Sequence, residues 1–205
     1  MCVRAQVPAT RYSQVMAHSS ANMTSPSPRS PAARAAVLIV LSKVDGDWQV
    51  FYIRRSQRED DRHSGQVAFP GGRVEDADTD LIDTALREAE EEIGLPRDHV
   101  RVIGQLPDSD TSTGFVVTPV VALLEREFEP QLQSAEVARL FSIPLSWLQD
   151  ADNHWSRLWR ERPVVFFSDY DGENLWGASA RMTVALIDAL AAGQLVLPNG
   201  DPEPS

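Results

Sequence analysis

The chain has 205 residues, with 19 Lys or Arg and 30 Asp or Glu, so its formal net charge is −11. This length predicts one domain with tails, and a hydrophobic content of 42% is enough to form a core. The acidic balance argues against a nucleic-acid partner, because such a partner requires a basic surface. The sequence has no apolar stretch of membrane-spanning length, and its single cysteine, Cys2, excludes an internal disulfide. We therefore expect a cytoplasmic protein with no membrane partner.

The first 34 residues differ in composition from the rest of the chain. They contain four arginines and no acidic residue, and residues 19–31 are rich in Ser and Pro. Because such a composition buries little apolar area, we predict a disordered tail over residues 1–34, a folded domain over 35–195 and a C-terminal tail over 196–205. An organelle transit peptide is the alternative interpretation of the N-terminal segment.

Strand and helix patterns are mixed along the folded part. The Asp45-Gly46 pair predicts a hairpin turn between two apolar strands, and further apolar runs predict later strands. The predicted strands are residues 35–41, 48–53, 66–69, 100–106, 115–124 and 164–170. The predicted helices are residues 80–93, 135–141 and 178–192. Because the order is not a regular βαβ repeat, we expect an α+β fold or a helix–sheet–helix sandwich.

The clearest helix is the one predicted over residues 80–93. Asp78 or Thr79 is expected to cap its N-terminus, and Gly94 is well placed to end it. Its apolar residues recur at helical spacing and give it one face for packing on a sheet. These residues are Ile82, Ala85, Leu86, Ala89 and Ile93.

Three glutamates share one side of this helix. At about 100° per residue, Glu88, Glu91 and Glu92 fall within an arc of roughly 100°. Like charges placed so closely repel one another, and a cation would remove that penalty. Clustered carboxylate oxygens suit hard divalent ions, so we predict Mg²⁺ or Mn²⁺ as the cofactor. Arg87, one turn before Glu91, is expected to hold that carboxylate by an i,i+4 ion pair.

A solvated acidic face is the alternative interpretation of these glutamates, since acidic runs are common on surface helices. The segment Phe69-Pro70-Gly71-Gly72 favours a functional interpretation, because a tight glycine turn just before the helix lets the backbone approach a ligand closely.

The segment from Gly72 to Leu95 resembles the Nudix box, G-x5-E-x7-R-E-U-x-E-E-x-G-U, where U is apolar. The second half matches from Arg87 to Leu95, whereas the first half is one residue longer than the pattern. The position of the box glutamate holds Asp78 when counted forward from Gly72, and Thr79 when counted back from Arg87. The resemblance implies a Nudix-type α/β/α sandwich with a mixed central sheet and a pyrophosphohydrolase activity.

A second motif precedes the box. The residues Arg54-Arg55-Ser56 and the run from His63 to Gly72 look like the signature of coenzyme A pyrophosphatases, although the intervening loop is one residue longer and Asp61 stands near an expected arginine. This resemblance implies hydrolysis of coenzyme A or a derivative to 3′-phosphoadenylate and 4′-phosphopantetheine. The implied substrate-binding residues are Arg54, Arg55, Arg62, His63 and Gly71. The implied metal ligands are Glu88, Glu91, Glu92 and the carbonyl of Gly72.

The resemblance implies that a metal-activated water attacks phosphorus. Its general base is either Glu88 or a carboxylate from a later loop, of which Glu136 is preferred ahead of Glu125, Glu127 and Glu129. Glu75 is a further candidate near the metal. We count Glu88, Glu91, Glu92, Arg87 and Glu136 as the catalytic set.

Several alternatives stay open at this point. Within the same family, the substrate is ADP-ribose, NADH or an oxidised nucleotide. In another class, the chain is a Nudix module that binds a nucleotide without cleaving it, or an acidic interaction domain. A homodimer is the protein partner that we consider.

Overall fold

The structure, a computed structural model, describes residues 33–57, 64–111, 114–159 and 162–198. These residues lie within one compact unit. Their strands are β1 Arg34–Val44, β2 Asp47–Arg55, β3 Val67–Ala68, β4 Gly71–Arg73, β5 Val100–Gln105, β6 Ser109–Asp110, β7 Val116–Leu124, β8 Val137–Pro144, β9 His154–Trp159 and β10 Arg162–Phe167. Their α-helices are α1 Leu81–Ile93, α2 Leu145–Gln149 and α3 Gly177–Ala191. Both predicted tails fall almost wholly outside the described residues, so their boundaries stay predictions.

The central sheet is mixed. Its strand order is β3-β2-β1-β7-β5. In addition, β4 pairs with β1, β6 pairs with β7, and β8 pairs with β2. The β1–β7 pair is parallel, and the other pairs of this sheet are antiparallel. Strands β9 and β10 form a separate two-stranded ribbon. The expected α+β fold with a mixed sheet is therefore confirmed.

Helices cover both faces of this sheet. On one face, the buried residues Ala85, Ala89 and Ile93 of α1 join a core cluster that includes Ile53 of β2. On the other face, the hydroxyl of Tyr52 lies 2.9 Å from the hydroxyl of Thr183 in α3. Successive strand residues point to opposite faces, so the two helices enclose the sheet. Among the helices of the described ranges, none has the length and apolar character needed to cross a membrane.

The N-cap of helix α1 lies one or two residues after the two residues predicted to cap it. Asp80 is the N-cap, and its carboxylate accepts a hydrogen bond of 2.8 Å from the backbone N–H of Asp83. Asp78 is not available for capping, because its carboxylate binds Arg87. At the other end, Gly94 adopts φ 71° and ends the helix, as predicted.

The helix predicted over residues 135–141 is wrong. The segment is the start of β8, which pairs antiparallel with β2 from Gln49 to Arg55. Phe141 and Ile143 of β8 are buried at the two-residue spacing of a strand. Val137 is also buried, but it lies beyond an irregularity in the pairing with β2 and packs with the α1 cluster.

The ribbon is the part of the fold that the sequence pattern shows least clearly. Strand β9 was not predicted, and five of its six residues are exposed, so it has no apolar alternation to detect. Strand β10 was predicted over 164–170 but ends at Phe167. The short elements α2, β4 and β6 were also not predicted.

Removing the observed cap tests the register of α1. We expect Asp80→Ala to lower the free energy of unfolding by about 1 kcal/mol, because one orphan N–H of the first turn loses its acceptor. Urea denaturation measures this change. Asp76→Ala, in the exposed turn before the helix, is the matched control, and an equal loss in both variants would contradict the cap assignment.

Candidate active site

The glycine bend places backbone directly beside α1. Gly71 has φ 157°, and a Cβ atom there would lie 2.4 Å from the carbonyl oxygen of Ala36. Only glycine fits this position, because β4 pairs closely with β1. The backbone N–H of Gly71 then donates a hydrogen bond of 3.0 Å to a carboxylate oxygen of Glu92. The bend and the acidic helix are thus joined at one contact.

Glu92 is a buried acid. It is only 3% exposed, and burial raises its pKa from 4.5 to about 7. The Gly71 N–H and the charge of Arg55 oppose this rise in pKa, whereas the charges of Glu88 and Glu136 add to it. The carboxylate therefore lies in a place where negative charge is costly unless a cation is supplied.

Glu88 packs against the second glycine of the bend. A Cβ atom at Gly72 would lie 2.3 Å from Oε1 of Glu88, so a larger residue at 72 would displace this carboxylate. Burial raises the pKa of Glu88, while the ion pair with Arg87 lowers it. Two of the three predicted metal-binding carboxylates, Glu88 and Glu92, thus lie at the glycine bend together with Gly72.

Arg87 holds the carboxylates of Glu88 and Glu91 close together. Its Nη1 donates 3.0 Å to Oε1 of Glu88 and 3.1 Å to Oε2 of Glu91. The i,i+4 pair predicted from the sequence is confirmed. Since one nitrogen binds both oxygens, these two carboxylates are no further apart than the sum of those distances. Glu91 is the exposed member of the three glutamates.

Asp78 occupies the position that the sequence left open. Nε and Nη2 of Arg87 donate 2.8 and 3.1 Å to its two carboxylate oxygens, and Nη2 also donates 3.0 Å to the carbonyl of Arg73. These hydrogen bonds hold the pKa of Asp78 well below its usual range. The alternative, Thr79, is exposed and binds Asp83 instead. Asp78 is therefore a site residue whose role the sequence did not decide.

Glu136 lies close enough to act electrostatically on Glu88 and Glu92. Its charge raises the pKa of both Glu88 and Glu92, and its backbone carbonyl accepts a hydrogen bond of 2.8 Å from the N–H of Ser56. The other late candidates differ in position: Glu125 is ion-paired with Arg101 at the surface, and Glu127 and Glu129 are exposed. Glu75 is also exposed, 4.0 Å from Nη1 of Arg87.

The predicted substrate-binding residues have different environments. Arg55 acts electrostatically on Glu92, whereas Arg54 donates 3.1 Å to the buried carboxylate of Glu173. The N–H of Gly71 is bonded to Glu92 rather than open to a ligand. Arg62 and His63 lie outside the described residues.

The donor set suits a hard divalent cation. A buried carboxylate and a half-buried one lie side by side, with Glu91 adjacent, and Mg²⁺ favours such oxygen ligands completed by water and substrate phosphates. Within the described ranges, however, no three His, Cys, Asp or Glu side chains already form a metal-binding group, and Glu91 is turned toward Arg87. The site thus consists of a carboxylate cluster on α1 that contacts the glycine bend of a mixed sheet.

The chain belongs to the Nudix family, since residues 32–181 match the NUDIX domain. A relative from Yersinia enterocolitica, named as an uncharacterized Nudix hydrolase NudL, is 43% identical over 133 residues, which are 63% of this chain and 66% of the relative. A relative of the same name from Pectobacterium atrosepticum is 39% identical over 133 residues, covering 63% and 67%. The chain thus spans about two thirds of the length of these curated relatives.

Solved structures share the fold. The Nudix hydrolase RenU from M. smegmatis has a TM-score of 0.55 at 19% identity, over 82% of this chain and 91% of that one. A MutT/nudix family protein from Enterococcus faecalis has a TM-score of 0.53 at 15% identity, over 82% and 66%. The predicted family and sandwich fold are confirmed, and the coenzyme A pyrophosphatase subfamily stays a prediction.

The burial of Glu92 predicts a pH-dependent stability in the metal-free protein. Between pH 4.5 and about 7 the folded state keeps the Glu92 proton, whereas the unfolded state has lost it. The free energy of unfolding therefore falls as pH rises through this interval, by at most about 3 kcal/mol, and then levels off. Glu92→Gln removes this part of the slope.

Urea unfolding across this pH range, with a chelator present, measures the effect. Glu90→Gln is the matched control, because Glu90 lies on the exposed side of the same helix and pairs with Arg97. Equal slopes in the wild type and in Glu92→Gln would show that Glu92 does not carry a raised pKa.

Proposed function

We propose that the chain hydrolyses the pyrophosphate bond of a nucleoside diphosphate linked to another group. The observation that carries the proposal is the contact of Glu92 and Glu88 with the Gly71-Gly72 bend. A buried carboxylate with a pKa near 7 beside a second acid is costly for a fold and useful for binding a cation. An acidic interaction domain would need no such burial.

Coenzyme A or a derivative is the proposed substrate. The support is the resemblance of Arg54-Arg55-Ser56 and of the run from His63 to Gly72 to the signature of coenzyme A pyrophosphatases. Arg55 of this signature acts on Glu92, so one signature cation lies near the acidic cluster. The products would be 3′-phosphoadenylate and 4′-phosphopantetheine.

Mg²⁺ or Mn²⁺ would be held by Glu88, Glu91 and Glu92, with the carbonyl of Gly72 as a further ligand. When bound, such an ion neutralises phosphate charge and lowers the pKa of a bound water. Neutralisation is needed, because a chain of net charge −11 and an anionic diphosphate repel each other. Arg87 is a positioning residue, because it fixes the carboxylates of Glu88 and Glu91 and is itself held by Asp78.

Glu136 is the proposed general base. Its charge acts on both Glu88 and Glu92, so it lies near the carboxylates that would hold the metal. A carboxylate there would accept the proton of the attacking water. The hydrogen bond from Ser56 to its backbone joins it to the signature segment, which would hold base and substrate in one arrangement. Glu88 is the other candidate for this role.

Product identification tests the reaction and the substrate together. After incubation with coenzyme A and Mg²⁺ in ¹⁸O-labelled water, we expect mass spectrometry to find 3′-phosphoadenylate and 4′-phosphopantetheine, with the label in the product whose phosphorus was attacked. Preferential cleavage of ADP-ribose or NADH would refute the substrate assignment. Cleavage of no dinucleotide or nucleoside diphosphate derivative would refute the activity and favour a binding module.

Two neighbouring glutamates provide a matched test of the metal site. We expect Glu91→Gln to lower kcat by orders of magnitude with an unchanged fold, because the exposed Glu91 contributes to cation binding rather than to packing. Glu90→Gln, one residue away and paired with Arg97 rather than with Arg87, should leave kcat near that of the wild type. Steady-state kinetics and circular dichroism measure both, and unchanged turnover in Glu91→Gln would eliminate the metal site as assigned.

A further inference from the structure

A buried acid outside the Nudix box gathers two arginines. Glu173, in the turn between β10 and α3, has a side chain that is 2% exposed. One of its oxygens, Oε1, accepts 3.1 Å from Nη1 of Arg54 and 2.9 Å from Nη1 of Arg139. The two guanidiniums are thus held by a single atom, and their bonded nitrogens lie no further apart than the sum of those distances.

Both guanidiniums keep donors for a ligand. The side chains of Arg54 and Arg139 are 41% and 37% exposed, and each guanidinium has five N–H donors. Arg139 also donates to Asp171, but the Asp171 side chain is 66% exposed, so water screens its charge. Two acids therefore face the two cations, the buried Glu173 and the exposed Asp171. An anionic ligand can replace Asp171 on Arg139 without leaving a buried charge unpaired, because the displaced carboxylate returns to water.

The position of the pair relates it to the candidate active site. Arg54 and Arg139 are register partners at the end of the β2–β8 pair, and the next register pair is Arg55 with Val137. Arg139 lies over the ring of Phe141, 5.4 Å from its centroid, on the α3 face of the sheet. Arg55 acts on Glu92 on the α1 face. Two cationic groups therefore flank one end of the sheet, a single residue apart in β2.

We infer that Arg54 and Arg139 bind a second phosphate of the substrate, separate from the diphosphate that is cleaved, and that Glu173 is the positioning residue that holds them for it. Guanidiniums bind phosphate through paired hydrogen bonds. The inference rests on the proposed function and specifies its substrate class: a nucleotide with a phosphate on the far side of its ribose from the diphosphate.

Calorimetric binding of two nucleotides tests this site without any turnover. With Mg²⁺ present, we expect the wild type to bind adenosine 3′,5′-bisphosphate about tenfold or more tightly than adenosine 5′-monophosphate, since charged hydrogen bonds to the extra phosphate add affinity. Arg139→Gln should abolish this preference and leave binding of the monophosphate unchanged. Arg101→Gln, which removes a surface arginine of another ion pair, should keep the preference.

A variant of Glu173 separates positioning from charge. Glu173→Gln makes the site more positive, so charge alone predicts tighter binding of the bisphosphate. Positioning predicts weaker binding with the monophosphate affinity unchanged, and that is the expected result. Thermal denaturation of each variant accompanies the titrations, and Arg139→Gln, in which Glu173 keeps Arg54, tests the site if Glu173→Gln does not fold.

The outcomes distinguish this site from the proposed activity. Equal binding of both nucleotides by the wild type overturns the site even where coenzyme A is cleaved, and so does a preference that survives in Arg139→Gln. Tighter binding of the bisphosphate by Glu173→Gln overturns the positioning role. A preference that depends on Arg139 in a protein that cleaves no coenzyme A supports the site and refutes the activity.

Discussion

The hydrogen bond from the Gly71 backbone to the Glu92 carboxylate is the constraint on which the rest of the site depends. A carboxylate buried to this degree is stable only with a donor or a cation nearby, and the donor here is a backbone N–H. That N–H reaches α1 because β4 lies against β1 without room for a side chain at position 71. Strand pairing, glycine and acid therefore depend on one another.

Arg87 fixes the positions of the other acids of the site. Its guanidinium binds Asp78, Glu88 and Glu91 and the carbonyl of Arg73. An aspartate is one methylene shorter than the glutamate of the Nudix box, and the segment before the helix is one residue longer. In this chain the carboxylate that reaches Arg87 is that of Asp78. Asp78 thus fixes the guanidinium of Arg87, which in turn orients Glu88 and Glu91.

The sequence predicted the parts of the fold in which local pattern and tertiary contact agree. Helix α1 has an apolar face and Gly94 at its end, so its existence and its three acids were predictable. The segment at 135–141 has apolar residues that fit either period, and only pairing with β2 makes it a strand. Asp78 and Thr79 were equally good candidates by counting, because counting does not show which side chain reaches Arg87.

Glu173 had no sequence signal at all, because its role depends on two arginines that are 119 and 34 residues away in sequence. Adjacent strand residues face opposite sides of the sheet, so consecutive arginines cannot serve one phosphate from one face. In this fold Arg55 acts on the buried acid beside α1, and Arg54 joins Arg139 on the α3 face. A pair of identical residues in the sequence thus becomes two sites of different electrostatic character, one facing Glu92 and the other anchored by Glu173.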